Sequence, residues 1–137
     1  MSEVFFDTNV LLRIFNEEAG FEETIEDIAE IKSSGHNLNI SGITHFELLL
    51  GYYLYGKSND FLKEYGDLRD ALEIQIIDLT VNDVEMAASY CKSKSKIRDY
   101  FIGSTVKNRN GYLLTYNLAD FTWMENVLAP RQFLSVE

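Results

Sequence analysis

An α/β fold, with a central parallel sheet of four to five strands covered by helices on both faces, is the class this sequence predicts. Three observations predict it. Short apolar runs of strand length recur along the chain, most of them beside turn residues. Longer stretches with apolar residues at helical spacing lie between them. The two kinds alternate, and alternating strands and helices build a parallel sheet whose crossovers are helices. At 137 residues, one domain spanning residues 1–137 is expected, long enough to bury a core without disulfides or structural metals.

In chain order, Val4-Phe5-Phe6 reads as a short buried strand ending at Asp7, and Asn9 to Asn16 as a first helix. Phe21, Ile25, Ile28 and Ala29 recur at helical spacing with acids on the other faces, and Gly35 closes that helix in the C′ position. Asn37 to Ser41 is a second strand, Thr44 to Tyr55 a strongly apolar helix, and Phe61, Tyr65, Leu68 and Leu72 mark the next helix. A third strand is expected at Glu73 to Ile77. Thr80-Val81-Asn82-Asp83 starts a helix running through Met86, Ala87 and Tyr90, and Asp99 opens another with Tyr100, Ile102 and Val106 inside. Gly111 precedes a fourth strand, Tyr112 to Thr115, and Gln132-Phe133-Leu134 reads as a short last one. Ligands of such sheets bind beyond the carboxyl ends of the strands. Asp7 ends the first strand there, and Asn117 and Asp120 follow the fourth.

The composition is 46% hydrophobic and 25% charged, ordinary for a globular chain. Cys91 is the single cysteine, which excludes a disulfide framework and a thiolate metal cluster. The chain enters its first strand without a basic leader, and Leu48 to Tyr55, its longest apolar stretch, is too short to span a bilayer. A cytoplasmic protein with no membrane partner is therefore expected. The net charge of −10 argues against broad phosphate binding, but distribution matters more than the sum. Seven acids and no base lie between Glu17 and Glu30, whereas six of the twelve bases lie between Lys92 and Arg109, with Asp99 the sole acid among them.

Four acids stand where a ligand would bind, and each has a purely structural explanation. Asp7 can cap the helix after it. Glu47 follows Thr44 by three residues, the spacing of a capping box. Asp99 suits the first turn of its helix, where a carboxylate complements the helix dipole. Asp120 follows Asn117 at capping distance. Together, however, clustered carboxylates repel one another unless cations are present. An all-oxygen acidic site suits Mg²⁺ or Mn²⁺, and such ions activate water and stabilise both oxygens of an in-line phosphodiester displacement.

Four segments carry a family resemblance. They are Phe6-Asp7-Thr8-Asn9-Val10-Leu11-Leu12, Ser41-Gly42-Ile43-Thr44-His45-Phe46-Glu47-Leu48, Arg98-Asp99-Tyr100-Phe101-Ile102-Gly103-Ser104 and Leu113-Leu114-Thr115-Tyr116-Asn117-Leu118-Ala119-Asp120-Phe121. In this order and spacing the chain resembles the PIN-domain ribonucleases, and among them the VapC-like toxins of toxin–antitoxin pairs. The resemblance implies a PIN-like three-layer fold, Mg²⁺ or Mn²⁺ held by Asp7, Glu47 and Asp99, and endonucleolytic cleavage of RNA. It also implies a neutralising antitoxin and homodimerisation. Many relatives carry aspartate at the position of Asn117, and others carry it three residues later, as in Asp120, so both remain candidates for completing the site. Tyr100 and Phe101 are bulkier than the family's usual residues.

Thr8, Asn9, Thr115 and Asn117 are candidate supporting residues, and Lys96, Arg98, Lys107, Arg109 and Arg13 are candidates for contacting RNA phosphate. His45 lies two residues before Glu47, and residues so spaced on a helix do not face each other. A ligand role is thus disfavoured for it, and for His36. Tyr52, Tyr53 and Tyr55 are read as core or dimer packing rather than base stacking. No P-loop or dinucleotide-binding glycine motif is present. Two rival functions remain: a non-catalytic PIN module binding RNA or a protein, and a nuclease acting on DNA.

Overall fold

Glu3–Phe6 forms strand β1, and Val4, Phe5 and Phe6 are all buried, as a strand covered on both faces requires. The structure, a computed structural model, describes residues 1–56 and 59–136. The further strands among these residues are β2 (Asn37–Ser41), β3 (Gln75–Ile77), β4 (Tyr112–Leu114) and β5 (Val127–Leu128). They form one sheet in the order β3-β2-β1-β4-β5, with every neighbouring pair parallel. Val4 aligns with Leu38 on one side and with Tyr112 on the other.

The helices are α1 (Thr8–Phe15), α2 (Phe21–Ser33), α3 (Gly42–Tyr55), α4 (Asp60–Leu72), α5 (Val81–Tyr90), α6 (Ile97–Lys107) and α7 (Pro130–Val136). The pleat sends alternate side chains to opposite faces. Val4, Phe6 and Leu114 join Leu11, Ile28, Leu48, Tyr65 and Phe133 in the larger core, under α1 to α4 and α7. Phe5 and Leu113 join Ile102, Val106 and Phe121 in the smaller core, under α6. The predicted three-layer parallel α/β fold is thus observed.

Local chemistry sets the helix ends. Thr80 and Asp83 form a reciprocal capping box at the start of α5. Gly35 follows α2 with φ +91°, a conformation glycine adopts without strain. The expected box at Thr44 and Glu47 does not form, because α3 starts earlier and Ser41 is its cap, accepting from the Thr44 N–H at 3.1 Å. Glu47 is thereby left for another partner.

Gln132-Phe133-Leu134 is not a strand. These residues lie in α7, with Pro130 at its first position, where its missing N–H costs nothing. Gln132 accepts from the Ala129 N–H at 2.9 Å, and Phe133 is buried edge-on against Tyr112 and His36. Val127–Leu128 supplies the edge strand instead.

Candidate active site

The chain passes from β1 through β2 to β3 on one side, then returns on the other side of β1 as β4. A sheet whose order reverses in this way opens a crevice beyond the carboxyl ends of the strands flanking the reversal. Asp7 lies there, immediately after β1. It caps α1, accepting from the Thr8 N–H at 2.8 Å, and is only 1% exposed. Thr115, immediately after β4, donates its hydroxyl to Asp7 Oδ2 at 2.9 Å, and the Asn9 amide donates to the same oxygen at 3.1 Å. Thr115 Oγ1 accepts in turn from the Asn9 amide and from the Asn117 N–H, both at 3.0 Å. Asn9 Oδ1 accepts from the Tyr116 N–H at 3.2 Å. The supporting residues therefore orient Asp7 rather than merely surround it.

Glu47 on α3 and Asp99 in the first turn of α6 face the same crevice, and Arg98 stands among all three acids. Its Nε donates to Glu47 Oε2 at 2.5 Å and its Nη2 to Glu47 Oε1 at 2.8 Å. Nη2 also reaches Asp7 Oδ1 at 3.1 Å and Thr8 Oγ1 at 3.3 Å, while Nη1 pairs with Asp99. Thr8 donates to Glu47 Oε1 at 2.5 Å and lies 3.1 Å from Thr44 Oγ1. Thr44 is not among the site residues the sequence points to. Its place in the second motif, three residues before Glu47, was the available signal.

Burial is the main force on Asp99 and pushes its carboxyl up to about 6. Arg98 opposes this, the charges of Asp7 and Asp120 reinforce it, and Lys96 opposes it more weakly. Burial also works against the charge of Arg98. The hydrogen bond to Glu47 and the charges of Asp7, Glu47 and Asp99 outweigh it and hold the guanidinium above its ordinary range.

Asp120 sits at the rim, its carboxylate paired with Lys96 at 2.8 Å. The remaining candidate bases are engaged elsewhere. Arg109 binds Asp83 at 3.0 Å and the Thr105 carbonyl at 2.7 Å, and Lys107 lies over the Tyr90 ring. Arg13 stacks on Tyr116, 3.6 Å from the ring centroid. His45 pairs with the Tyr65 hydroxyl at 2.7 Å, and burial, with the nearby Arg69, lowers its basicity. His36 Nδ1 lies 3.0 Å from the Ser2 N–H.

The donor chemistry of the crevice fits a hard divalent cation. Three carboxylates and two threonine hydroxyls present oxygen, the ligand Mg²⁺ and Mn²⁺ prefer. Burial raises Asp99 first, and the repulsion from Asp7 and Asp120 that adds to it is what a cation relieves. Among the described residues no three acidic, histidine or cysteine side chains close on one point as a finished metal site. The guanidinium of Arg98 stands between the acids.

Comparison with known proteins gives a consistent picture. No curated protein sequence matches the chain. Solved structures share its fold at low identity. A toxin–antitoxin complex from Klebsiella pneumoniae contains a chain that superposes with a TM-score of 0.65 at 23% identity, over 93% of this chain and 98% of that one. VapBC2 from Rickettsia felis, bound to a DNA fragment from its promoter, gives 0.64 at 19%, over 92% and 96%. VapBC-1 from nontypeable Haemophilus influenzae gives 0.66 at 19%, over 86% and 89%. The PIN domain family matches residues 4–121, a span that contains Asp7, Glu47, Asp99 and Asp120, and the chain belongs to that family.

Proposed function

We propose that the protein is a Mg²⁺- or Mn²⁺-dependent endoribonuclease and the toxin of a VapBC-type pair, acting in the cytoplasm. The observation that carries this reading is the gathering of Asp7, Glu47 and Asp99 at the switch point of a PIN-domain sheet. PIN domains are generally nucleases, and the solved structures that share the fold include toxin–antitoxin complexes. By that analogy a neutralising antitoxin and a homodimer are part of the proposal.

Asp7, Glu47 and Asp99 would hold the ion, with Asp120 and Asn117 as the candidates for completing its surroundings. When bound, the ion supplies an activated water and stabilises the charge that develops on the phosphodiester oxygens. Thr115 and Asn9 keep Asp7 in one orientation, and Thr8 does the same for Glu47. Lys96 and Arg98 are the bases nearest the acids and attract phosphate to a rim that is otherwise acidic.

The test is cleavage of a single-stranded RNA oligonucleotide, with a DNA oligonucleotide beside it, in Mn²⁺ and in excess EDTA. Asp7→Asn should abolish RNA cleavage while keeping the circular dichroism spectrum of the wild type. Cleavage that survives EDTA or the substitution overturns the mechanism. One observation favours a second reading, a non-catalytic module: Arg98 already answers part of the trio's charge. A melting temperature that does not move on adding Mn²⁺ would establish that alternative, since an ion bound by the native state alone raises it.

A further inference from the structure

We infer that Arg98 is the resident counter-cation of the acid site: it holds Asp7, Glu47 and Asp99 together in the absence of a divalent ion and is displaced by that ion. The inference rests on the proposal that this trio binds a divalent metal. Its basis is the way the guanidinium is used. All three of its nitrogens are engaged, two of them as a fork on Glu47, and between them they reach every member of the trio. An arginine that only tied α6 to α3 would need one carboxylate. This one binds a residue after β1, a residue on α3 and a residue beside it on α6.

Charge gives the same answer. Three carboxylates with one guanidinium leave two negative charges uncompensated, and a divalent ion in its place leaves one. The exchange is favoured on electrostatic grounds, and the two cations compete for the same oxygens. A route out exists as well. The Arg98 side chain is 38% exposed, so rotation about its own bonds carries it to solvent while the backbone of α6 stays where it is. Asp7 and Asp99 are nearly enclosed and remain in place. Their positions are set by Thr115, Asn9 and the first turn of α6.

Titration calorimetry of the metal-free protein with Mn²⁺ alone, on wild type, Arg98→Gln and Arg98→Lys, tests this, with melting in EDTA alongside. Removing a competitor should tighten Mn²⁺ binding about tenfold in Arg98→Gln, the effect of losing about 1.4 kcal/mol of competition. The same variant should melt below wild type in EDTA, because three acids lose their counter-charge. Arg98→Lys, a point charge without the fork, should fall between the two. If Arg98→Gln does not fold, Arg98→Lys carries the comparison. Binding to the variants that is equal to or weaker than wild type, where wild type itself binds, overturns the counter-cation role and leaves the metal site standing. Failure of Mn²⁺ to bind either wild type or variants overturns the metal reading and this inference with it. A purely structural arginine predicts the lowered melting temperature without the tighter ion.

Discussion

Replacing Asp99 by asparagine tests whether the acid site is assembled at a cost to the fold. Asp99 is 4% exposed and its carboxyl is pushed from 3.8 up to about 6, first by burial and then by Asp7 and Asp120, with Arg98 and Lys96 opposing. Carried over two pH units, that shift destabilises the ionised native state by at most about 3 kcal/mol. Solvent at the open rim beside Arg98 screens part of this, leaving about 1–2 kcal/mol. The sign follows from which state binds the proton. Between about pH 4 and 6 the folded chain holds a proton that the unfolded chain has lost, so this group's contribution to stability falls as the pH rises through that window. Above it, the full penalty applies. The asparagine amide has no charge to desolvate and still offers an oxygen to Arg98. Asp99→Asn should therefore melt roughly 3–8 °C above wild type at pH 7.5 in EDTA, and the gap should nearly close by about pH 4, where the aspartate is neutral in the folded state and only about half ionised in the unfolded one. Calorimetric melting of both proteins at the two pH values is the assay. A variant less stable than wild type at pH 7.5, or a gap that does not change with pH, would refute the reasoning.

Asp83→Ala should cost about 3–5 kcal/mol in urea denaturation, because it removes the carboxylate half of a capping box and takes their buried partner from Arg109 and Asn108. Burial works against the Asp83 charge, yet bonds from Arg109, Asn108 and Thr80 outweigh it and hold the carboxyl low, so its support is present above the ordinary carboxylate range and lost as the pH falls through its lowered value. Gly103→Ala should cost about 1–3 kcal/mol by overpacking. Its Cβ would lie 2.5 Å from Trp123 and from Met124 Sδ, so the emission of Trp123, the single tryptophan, should shift with it.

What the sequence allowed to be read was what position at a strand end determines. Asp7 follows an unambiguous apolar strand, and Thr115 ends another, so their meeting at the crevice follows from a parallel sheet. Glu47 and Asp99 reach it through their motifs, and so does Arg98, but heading the third motif says nothing of its being the partner those acids share. Arg98 belongs to a basic run and reads there as a candidate for contacting phosphate, since its neighbours Lys92, Lys94 and Lys96 offer no contrast. A helical side chain leans back toward the helix N-terminus, and that direction takes Arg98 into the acids. Lys107 and Arg109, from the same run, turn instead to Tyr90 and Asp83. The edge of the sheet was illegible for a different reason. Val127–Leu128 is too short to show any period, while Gln132-Phe133-Leu134 carries a strand-length apolar pair inside a helix that Pro130 starts.

The pairing of β1 with β4 also sets a schedule. β1 is made before β4, yet the hydroxyl that orients Asp7 belongs to a residue 108 positions later, and Lys96, Arg98 and Asp99 come 89 to 92 residues after Asp7. Contacts so distant along the chain close late in folding. A ribosome that has delivered the chain only as far as Tyr90 has delivered Asp7, Thr8 and Glu47 but neither Asp99 nor Thr115. The centre of the sheet, and the acid cluster with it, can be completed only once Thr115 has been made, so chains stopped before that residue carry no assembled site.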